Sequence, residues 1–374
     1  MTNWRNFQAA DVFLEARTFF VGSNASGKSN LLDALRFLAE VAHPGSGGLQ
    51  AALATRGGFS SIRCLQARSP SYVEIDAYIG TSEAPEIWRY VLRVNVTKRE
   101  KLATVVSEEI VQDGRSVKKR SRSDQDDALV FSQTYLEQVV ENKDFRELSS
   151  FLSSCRYLHV VPQIVRDRSR ARAEGDDPYG GDLLRRMKET PQKTRLPRLR
   201  RIAEALKIAV PQFGDIELKD DSDGIPHLFA SYVHWRLNAS KQPESAFSDG
   251  TLRLIGLLWS ISEKGGPLLL EEPELSLNDA VVSELPRMFT RMQQLSGRQI
   301  ITTTHSSSLL DDSNIGLKEV HRIYVDQRGS RVETLSDNPA ISAQVGGGMT
   351  ISQAVLPLLR PKGIEKLGRL NVAA

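Results

Sequence analysis

Cys64 and Cys155 are the only cysteines in a chain of 374 residues. Two thiols build neither a zinc cluster nor a disulfide framework, and reduced cysteines are the expected state. Long apolar runs are missing as well: stretches such as Leu268–Leu270 are far shorter than a bilayer is thick. The N-terminal segment carries Asp11 and Glu15 instead of a cleavable apolar stretch, so no signal peptide is expected and the cytoplasm is the expected location. Nor is there an excess of one charge. The 49 Lys and Arg against 46 Asp and Glu leave a net of +3, which excludes a uniformly basic nucleic-acid coat protein. No repeat of fixed period and no sustained heptad occurs, which excludes a long coiled coil. What is present, 40% hydrophobic and 25% charged residues, is ordinary for a globular protein with a sizeable core.

The pattern along the chain predicts alternating element types. Thr18–Val21 is β-prone and stops at Gly22, and Leu31, Ala34, Leu35 and Leu38 then recur at helical spacing. Segments 72–79, 88–96 and 104–111 read as three antiparallel strands, with Asp113-Gly114 as a hairpin turn after the third. Residues 126–152 read as helix and 156–161 as a short buried strand. Farther on, Pro267–Leu270 and Gln299–Thr304 read as strands around a helix over 279–295, the pattern of a mostly parallel sheet. Charge is segregated beneath the neutral total: 13 basic against 7 acidic residues over 166–207 give a net of +6, and 8 against 4 over 98–122 give +4.

Gly22-Ser23-Asn24-Ala25-Ser26-Gly27-Lys28-Ser29 satisfies the phosphate-loop pattern without a mismatch, with a strand before it and a helix after it. Glycines let backbone N–H groups wrap phosphates, and a helix N-terminus adds the positive end of its dipole. Lys28 would neutralise the β- and γ-phosphates, and the Ser29 hydroxyl would ligate Mg²⁺. Leu268–Leu270 followed by Glu271-Glu272-Pro273-Glu274 places adjacent carboxylates at a strand end, where open α/β sheets bind ligands. One carboxylate could hold Mg²⁺ while the other orients and deprotonates a water. Ser248-Asp249-Gly250-Thr251 opens an apolar helix. It reads either as an N-cap or as a second anion site, and both readings stay open. His305 follows the strand that ends at Thr304.

In this order and spacing, the motifs resemble the ABC-type ATPase heads of the SMC, RecF and OLD-like group, in particular its compact members without long coiled coils. The matching motifs lie within residues 1–60 and 245–310. Arg5-Asn6-Phe7 also looks like the first strand of that group. The resemblance implies an α/β P-loop NTPase fold: an ABC-type head with a mixed central sheet, an antiparallel β-subdomain and a helical insertion. It implies that Gly22–Ser29 is Walker A, with Asn30 beside it. Glu271 would be the metal-coordinating acid of Walker B and Glu272 the catalytic base. Ser248, Asp249 and Gly250 would form the signature motif, residues 275–278 the D-loop, and His305 the switch histidine. Gln163 is the preferred Q-loop glutamine over Gln50 and Gln66. ATP and Mg²⁺ would be the cofactors, and the active form a head-to-head homodimer around two ATP molecules. Two positions depart from the commonest ABC pattern: Glu271 stands where Asp is frequent, and Asn278 where the D-loop has Asp or His.

On this reading, residues 1–125 hold the first half of the head and 126–225 a mainly helical basic insertion. Residues 226–335 would be the second half, and 336–374 a tail. Two uses of ATP remain open. One is a switch protein acting on or near DNA in repair or anti-phage defence, with the arginines of 166–207 as a phosphate-binding patch; the bland alternative is a solvated helical face. The other is a regulatory ATPase for a separate effector, a nuclease or toxin, because only 69 residues follow His305 and no nuclease motif is evident there. A transporter ATPase and a small-molecule kinase fit the motifs less well.

Overall fold

The computed structural model describes residues 1–374 except 44–46, 68, 97–101, 121–127, 173–174, 234–240, 362 and 370–374. The chain divides into two compact units. The first comprises residues 1–156, 265–267 and 316–374, and the second residues 157–264 and 268–315.

The first unit opens with a hairpin, β1 (Thr2–Trp4) and β2 (Phe7–Ala9), in which Trp4 faces Phe7 across the turn. Arg5-Asn6 is therefore a turn and not the strand expected there. Arg5 has φ +53°, and both side chains are used elsewhere: Arg5 pairs with Asp33, and Asn6 donates to Ser26 O. β3 (Arg17–Gly22) is buried at every position, as a strand covered on both faces must be. It leads into α1 (Lys28–Ala42), whose buried Leu31, Ala34, Phe37, Leu38 and Val41 form one apolar stripe.

The three strands expected after α1 are β4 (Val73–Ile79), β5 (Trp88–Val96) and β6 (Ala103–Gln112), joined by β7 (Arg115–Lys119). All pair antiparallel in the order β2-β1-β4-β5-β6-β7. Asp113 (φ +47°) and Gly114 (φ +76°) form the two-residue turn, both left-handed as a type I′ hairpin requires.

The helix expected over 126–152 is broken. Only 128–131 and α2 (Arg146–Ser153) are α-helical, with a 3₁₀ turn at 141–145. The cause is competition for backbone groups. The buried Glu108 carboxylate accepts from Tyr135 N at 2.9 and 3.0 Å, and Gln50 Nε2 donates to Ser132 O at 2.8 Å. Groups taken by distant side chains cannot close helical turns.

The second unit begins within β8 (Arg156–Leu158), at Tyr157, runs through α3 (Leu183–Glu189) and α4 (Gln192–Ala209), and forms an antiparallel sheet that the sequence did not announce. That sheet is β9 (Phe213–Asp220), β10 (Pro226–Tyr232) and β11 (Gln242–Pro243). α5 (Asp249–Ser262) follows, then β12 (Leu268–Glu271), α6 (Leu285–Ser296) and β13 (Ile300–Thr304). β12 and β13 pair in parallel, with Leu268 opposite Ile300 and Glu271 opposite Thr303. The helix expected over 279–295 is split after Val282. Pro286, in the first turn of α6, has no N–H to continue it.

The chain then returns to the first unit with β14 (Val320–Asp326) and β15 (Gly329–Thr334). β14 lies parallel to β3 and antiparallel to β15. Buried His321 on β14 hydrogen-bonds Thr334 Oγ1 at 3.1 Å, and burial lowers its pKa to about 4. Two helices, 339–346 and 351–359, complete the tail, which the sequence pattern left almost unread.

Candidate functional site

In the first unit, the candidate residues converge on the turn between β3 and α1. A Cβ on Gly22 would lie 2.4 Å from Ser26 Oγ and 2.6 Å from Ile323 O, so no larger residue fits. Gly27 has φ +115°, and a Cβ there would lie 2.5 Å from Asn6 Nδ2. Gly27 is also the N-cap of α1, and no side chain caps that helix. Lys28 is buried, and its ammonium reaches back to Gly22 O at 3.1 Å and Ser23 O at 3.3 Å, over the loop it would help to charge.

Ser26 Oγ is buried with no hydrogen-bond partner among the described residues. Its carbonyl accepts from Asn6 Nδ2 at 3.1 Å and from Ser330 Oγ. Asn30 Nδ2 donates to Asn6 Oδ1 at 2.9 Å. Asn24, Ala25 and Ser29 are exposed. Asn6 thus braces the loop from a hairpin at the start of the chain, a role its lone position in the sequence gave no signal for. Outside the loop, Arg56 joins Asp33 and Glu40 of α1, and Arg5 joins Asp33. An orphaned hydroxyl, two cradle glycines and an uncapped helix start suit a polyphosphate.

In the second unit, the acidic strand end is similarly braced. Glu272 has φ +44°, a strained value for a non-glycine residue. Its N–H reaches Thr303 O and Thr303 Oγ1, each at 3.2 Å. His305 Nε2 lies 3.0 Å from Glu272 Oε1, so the two residues expected to act together are in contact. Glu274 Oε1 accepts from Thr304 Oγ1 at 2.6 Å and from His305 N at 3.0 Å, and burial raises its pKa. Tyr157 donates its hydroxyl to Glu271 Oε2, and His159 Nδ1 lies 3.1 Å from Glu271 O. Tyr157, His159 and Glu274 were all missed as site residues. The first two lie in and just after β8, more than a hundred residues earlier, and only the fold joins them to Glu271.

The Ser248–Gly250 segment adopts the capping arrangement. Ser248 is the N-cap of α5, and its hydroxyl accepts from Thr251 N at 3.2 Å. A Cβ on Gly250 would lie 2.5 Å from Ser276 O, so glycine is needed where the turn after β12 passes. Gln163 Nε2 donates to Asp249 Oδ2 at 3.4 Å, and Arg166 pairs with Asp249 Oδ1 at 2.8 Å. The other two glutamines are placed elsewhere: Gln50 Nε2 binds Ala103 O and Ser132 O, and Gln66 O accepts from Gln8.

The basic stretch 166–207 is mostly neutralised in place. Arg166, Arg168, Arg170, Arg185, Arg186, Lys188 and Lys207 each pair with a carboxylate. Arg195 donates to Lys188 O, and Arg198 lies over Trp259, 4.6 Å from the ring centroid. Burial lowers the Arg198 pKa. Lys193, Arg200 and Arg201 are exposed and unpaired among the described residues; the Arg172 side chain lies outside them. The 98–122 stretch is partly outside as well, and within it Arg120 forms a buried pair with Glu108.

A family described as "AAA domain, putative AbiEii toxin, Type IV TA system" matches residues 17–311, from the start of β3 to beyond His305. The chain belongs to this family. The fold of this AAA-family chain is similar to that of SMC heads. One solved structure is an SMC head bound to the C-terminal winged-helix domain of ScpA, with a TM-score of 0.54 and 15% identity. It covers 89% of this chain and 95% of the other. A second is an SMC head with an extended coiled coil, bound to the C-terminal domain of ScpA, from Pyrococcus furiosus. Its TM-score is 0.50 at 13% identity over 92% and 98% of the two chains. No curated protein matches by sequence. By family and fold the chain is thus an AAA-domain protein with an SMC-head-like fold. Among the described residues, no helix is long and apolar enough to cross a membrane.

Proposed function

We propose that this AAA-family protein is an ATP-binding and ATP-hydrolysing switch that dimerises head-to-head around two ATP molecules. The observation that carries this reading is the loop from Gly22 to Lys28, which leaves a helix start uncapped, a buried hydroxyl unpartnered and an ammonium poised above it. Lys28 and the first-turn N–H groups of α1 would hold the phosphates. Ser29 and Glu271 are oxygen donors of the kind Mg²⁺ takes. Among the described residues, no cluster of three His, Cys, Asp or Glu could hold a metal without the nucleotide's oxygens. Bound Mg²⁺ would screen the phosphate charge. Glu272 would accept the proton of the attacking water, with its carboxylate oriented by His305. Ser248–Gly250 would complete the partner's nucleotide site.

The purpose of the switch is read from the charge. Because most cations of 166–207 already face carboxylates, control of a separate effector protein is favoured over direct DNA contact through that segment. A role in defence agrees with the toxin–antitoxin description of the family. The test is Glu272→Gln with ATP and Mg²⁺: hydrolysis falls about 10²–10⁴-fold while ATP stays bound and a dimer accumulates in light scattering. Hydrolysis at the parental rate would overturn the assignment of the base.

A further inference from the structure

Asp249 poses a problem for the function proposed above, on which this inference rests. Its carboxylate sits in the first turn of α5, where a partner's nucleotide is to be received, and its side chain is 43% exposed. A carboxylate at a helix N-terminus complements the helix dipole, but it has the wrong sign for an incoming phosphate. At about 4 Å, two like charges repel by roughly 1 kcal/mol in water and by several times that beside a protein surface.

Both carboxylate oxygens are engaged from one short segment. Arg166 contacts Oδ1 at 2.8 Å, and Gln163 donates to Oδ2 at 3.4 Å. Arg166 also donates to Phe247 O at 2.7 Å, on the other side of Ser248. One guanidinium therefore spans the signature segment from the residue before its cap to the residue after it. Both contacts are made by one guanidinium nitrogen, Nη2, so the charge that meets Asp249 is also tied to the backbone beside Ser248. Arg253, one turn along α5, is within electrostatic reach of Asp249 but makes no pair with it, and burial lowers its pKa. The direct ion pair to Asp249 is thus made by Arg166.

We propose that Arg166 is a positioning residue for the nucleotide contact of Ser248–Gly250, cancelling the Asp249 charge so that α5 can face a partner's polyphosphate. A purely structural clamp would act through Phe247 O and the loop shape. Charge compensation acts through Asp249 and can be relieved by removing that charge.

The experiment uses the full chain carrying Glu272→Gln, with ATP and Mg²⁺. The monomer–dimer equilibrium is followed by sedimentation, nucleotide affinity by ATP titration and folding by thermal unfolding. Arg166→Ala is expected to weaken dimerisation by ~10²-fold, about tenfold at each of two symmetric contacts. Arg166→Ala with Asp249→Asn returns it to within about threefold of the parent, and Asp249→Asn alone leaves dimerisation as tight or tighter. Three results overturn the inference: an unaffected Arg166→Ala, a folded Arg166→Ala whose loss Asp249→Asn does not recover, or weaker dimerisation from Asp249→Asn alone. The last arm decides the matter even if Arg166→Ala does not fold. A parent that binds ATP and stays monomeric overturns the proposed dimer along with the inference. A dimerising parent with an insensitive Arg166→Ala overturns the inference alone.

Discussion

α1 starts behind Gly27, which has no side chain to offer, so no side chain caps its first turn. α5 starts behind Ser248, whose hydroxyl already satisfies Thr251 N, and carries Asp249 at its first position. In sequence, both are small, glycine-containing segments ahead of an apolar helix. The first is a helix start without a side-chain cap, the one proposed to receive phosphate. The second is closed by its own cap and holds a negative charge that a distant arginine must offset. Similar composition therefore gives different chemistry, and what separates them is whether a side chain at the N-cap competes with the ligand.

The largest effect expected from breaking this contrast is on the open side. Lys28→Ala should lower ATP affinity on the order of 10²-fold or more, measured by equilibrium titration, because the ammonium over the loop is lost. Unchanged affinity would remove the phosphate loop from the argument. Acidification sharpens the comparison next, because it acts on the first unit through His321. With a folded pKa of about 4 against 6.5 in the free side chain, the unfolded chain takes up the proton first as the pH falls. Stability is therefore complete above pH 6.5 and is lost progressively toward pH 4, by up to about 3 kcal/mol. His321→Phe should flatten that part of the stability–pH curve, and a curve of unchanged shape would show that another group titrates.

Gly27→Ala comes third. A left-handed residue with a side chain costs about 1–3 kcal/mol, and here the methyl group also meets Asn6. Reduced thermal stability with weakened ATP binding is expected, and a neutral result would mean that the loop relaxes freely. On the closed side, Ser248→Ala should remove about 1 kcal/mol of stability. It should weaken ATP-driven dimerisation while sparing ATP affinity, and the reverse split would exchange the roles of the two helix starts.

The phosphate loop was legible because everything it needs lies within eight residues and two flanking elements. The acidic strand end was legible for the same reason, since a run of three leucines followed by two glutamates is local information. Its supports were not. Tyr157 and His159 reach Glu271 only because β8 runs beside β12, a neighbour relation that no spacing in the chain encodes. The pairing within the basic stretch was not legible for a related reason. A charge count cannot see that Arg168 meets Asp221, or that Arg198 is laid over an aromatic ring. Likewise, the helix expected over 126–152 had adequate local propensity and lost to Glu108 and Gln50, which take its backbone groups from outside.

Trp4 donates its indole N–H to Asn30 O, inside the first turn of α1, at 2.6 Å. Trp259 lies in α5 beneath Arg198, with its indole N–H on Glu263 at 2.9 Å. Trp4 is thus a fluorophore tied to the start of α1, and Trp259 one in the last turns of α5, on the helix that Ser248 opens. Variants that keep one of these tryptophans and replace the chain's others would report in emission wavelength and quenching on nucleotide arrival at one end and on partner engagement at the other. The order of the two events could then be timed in a stopped-flow trace without an added label.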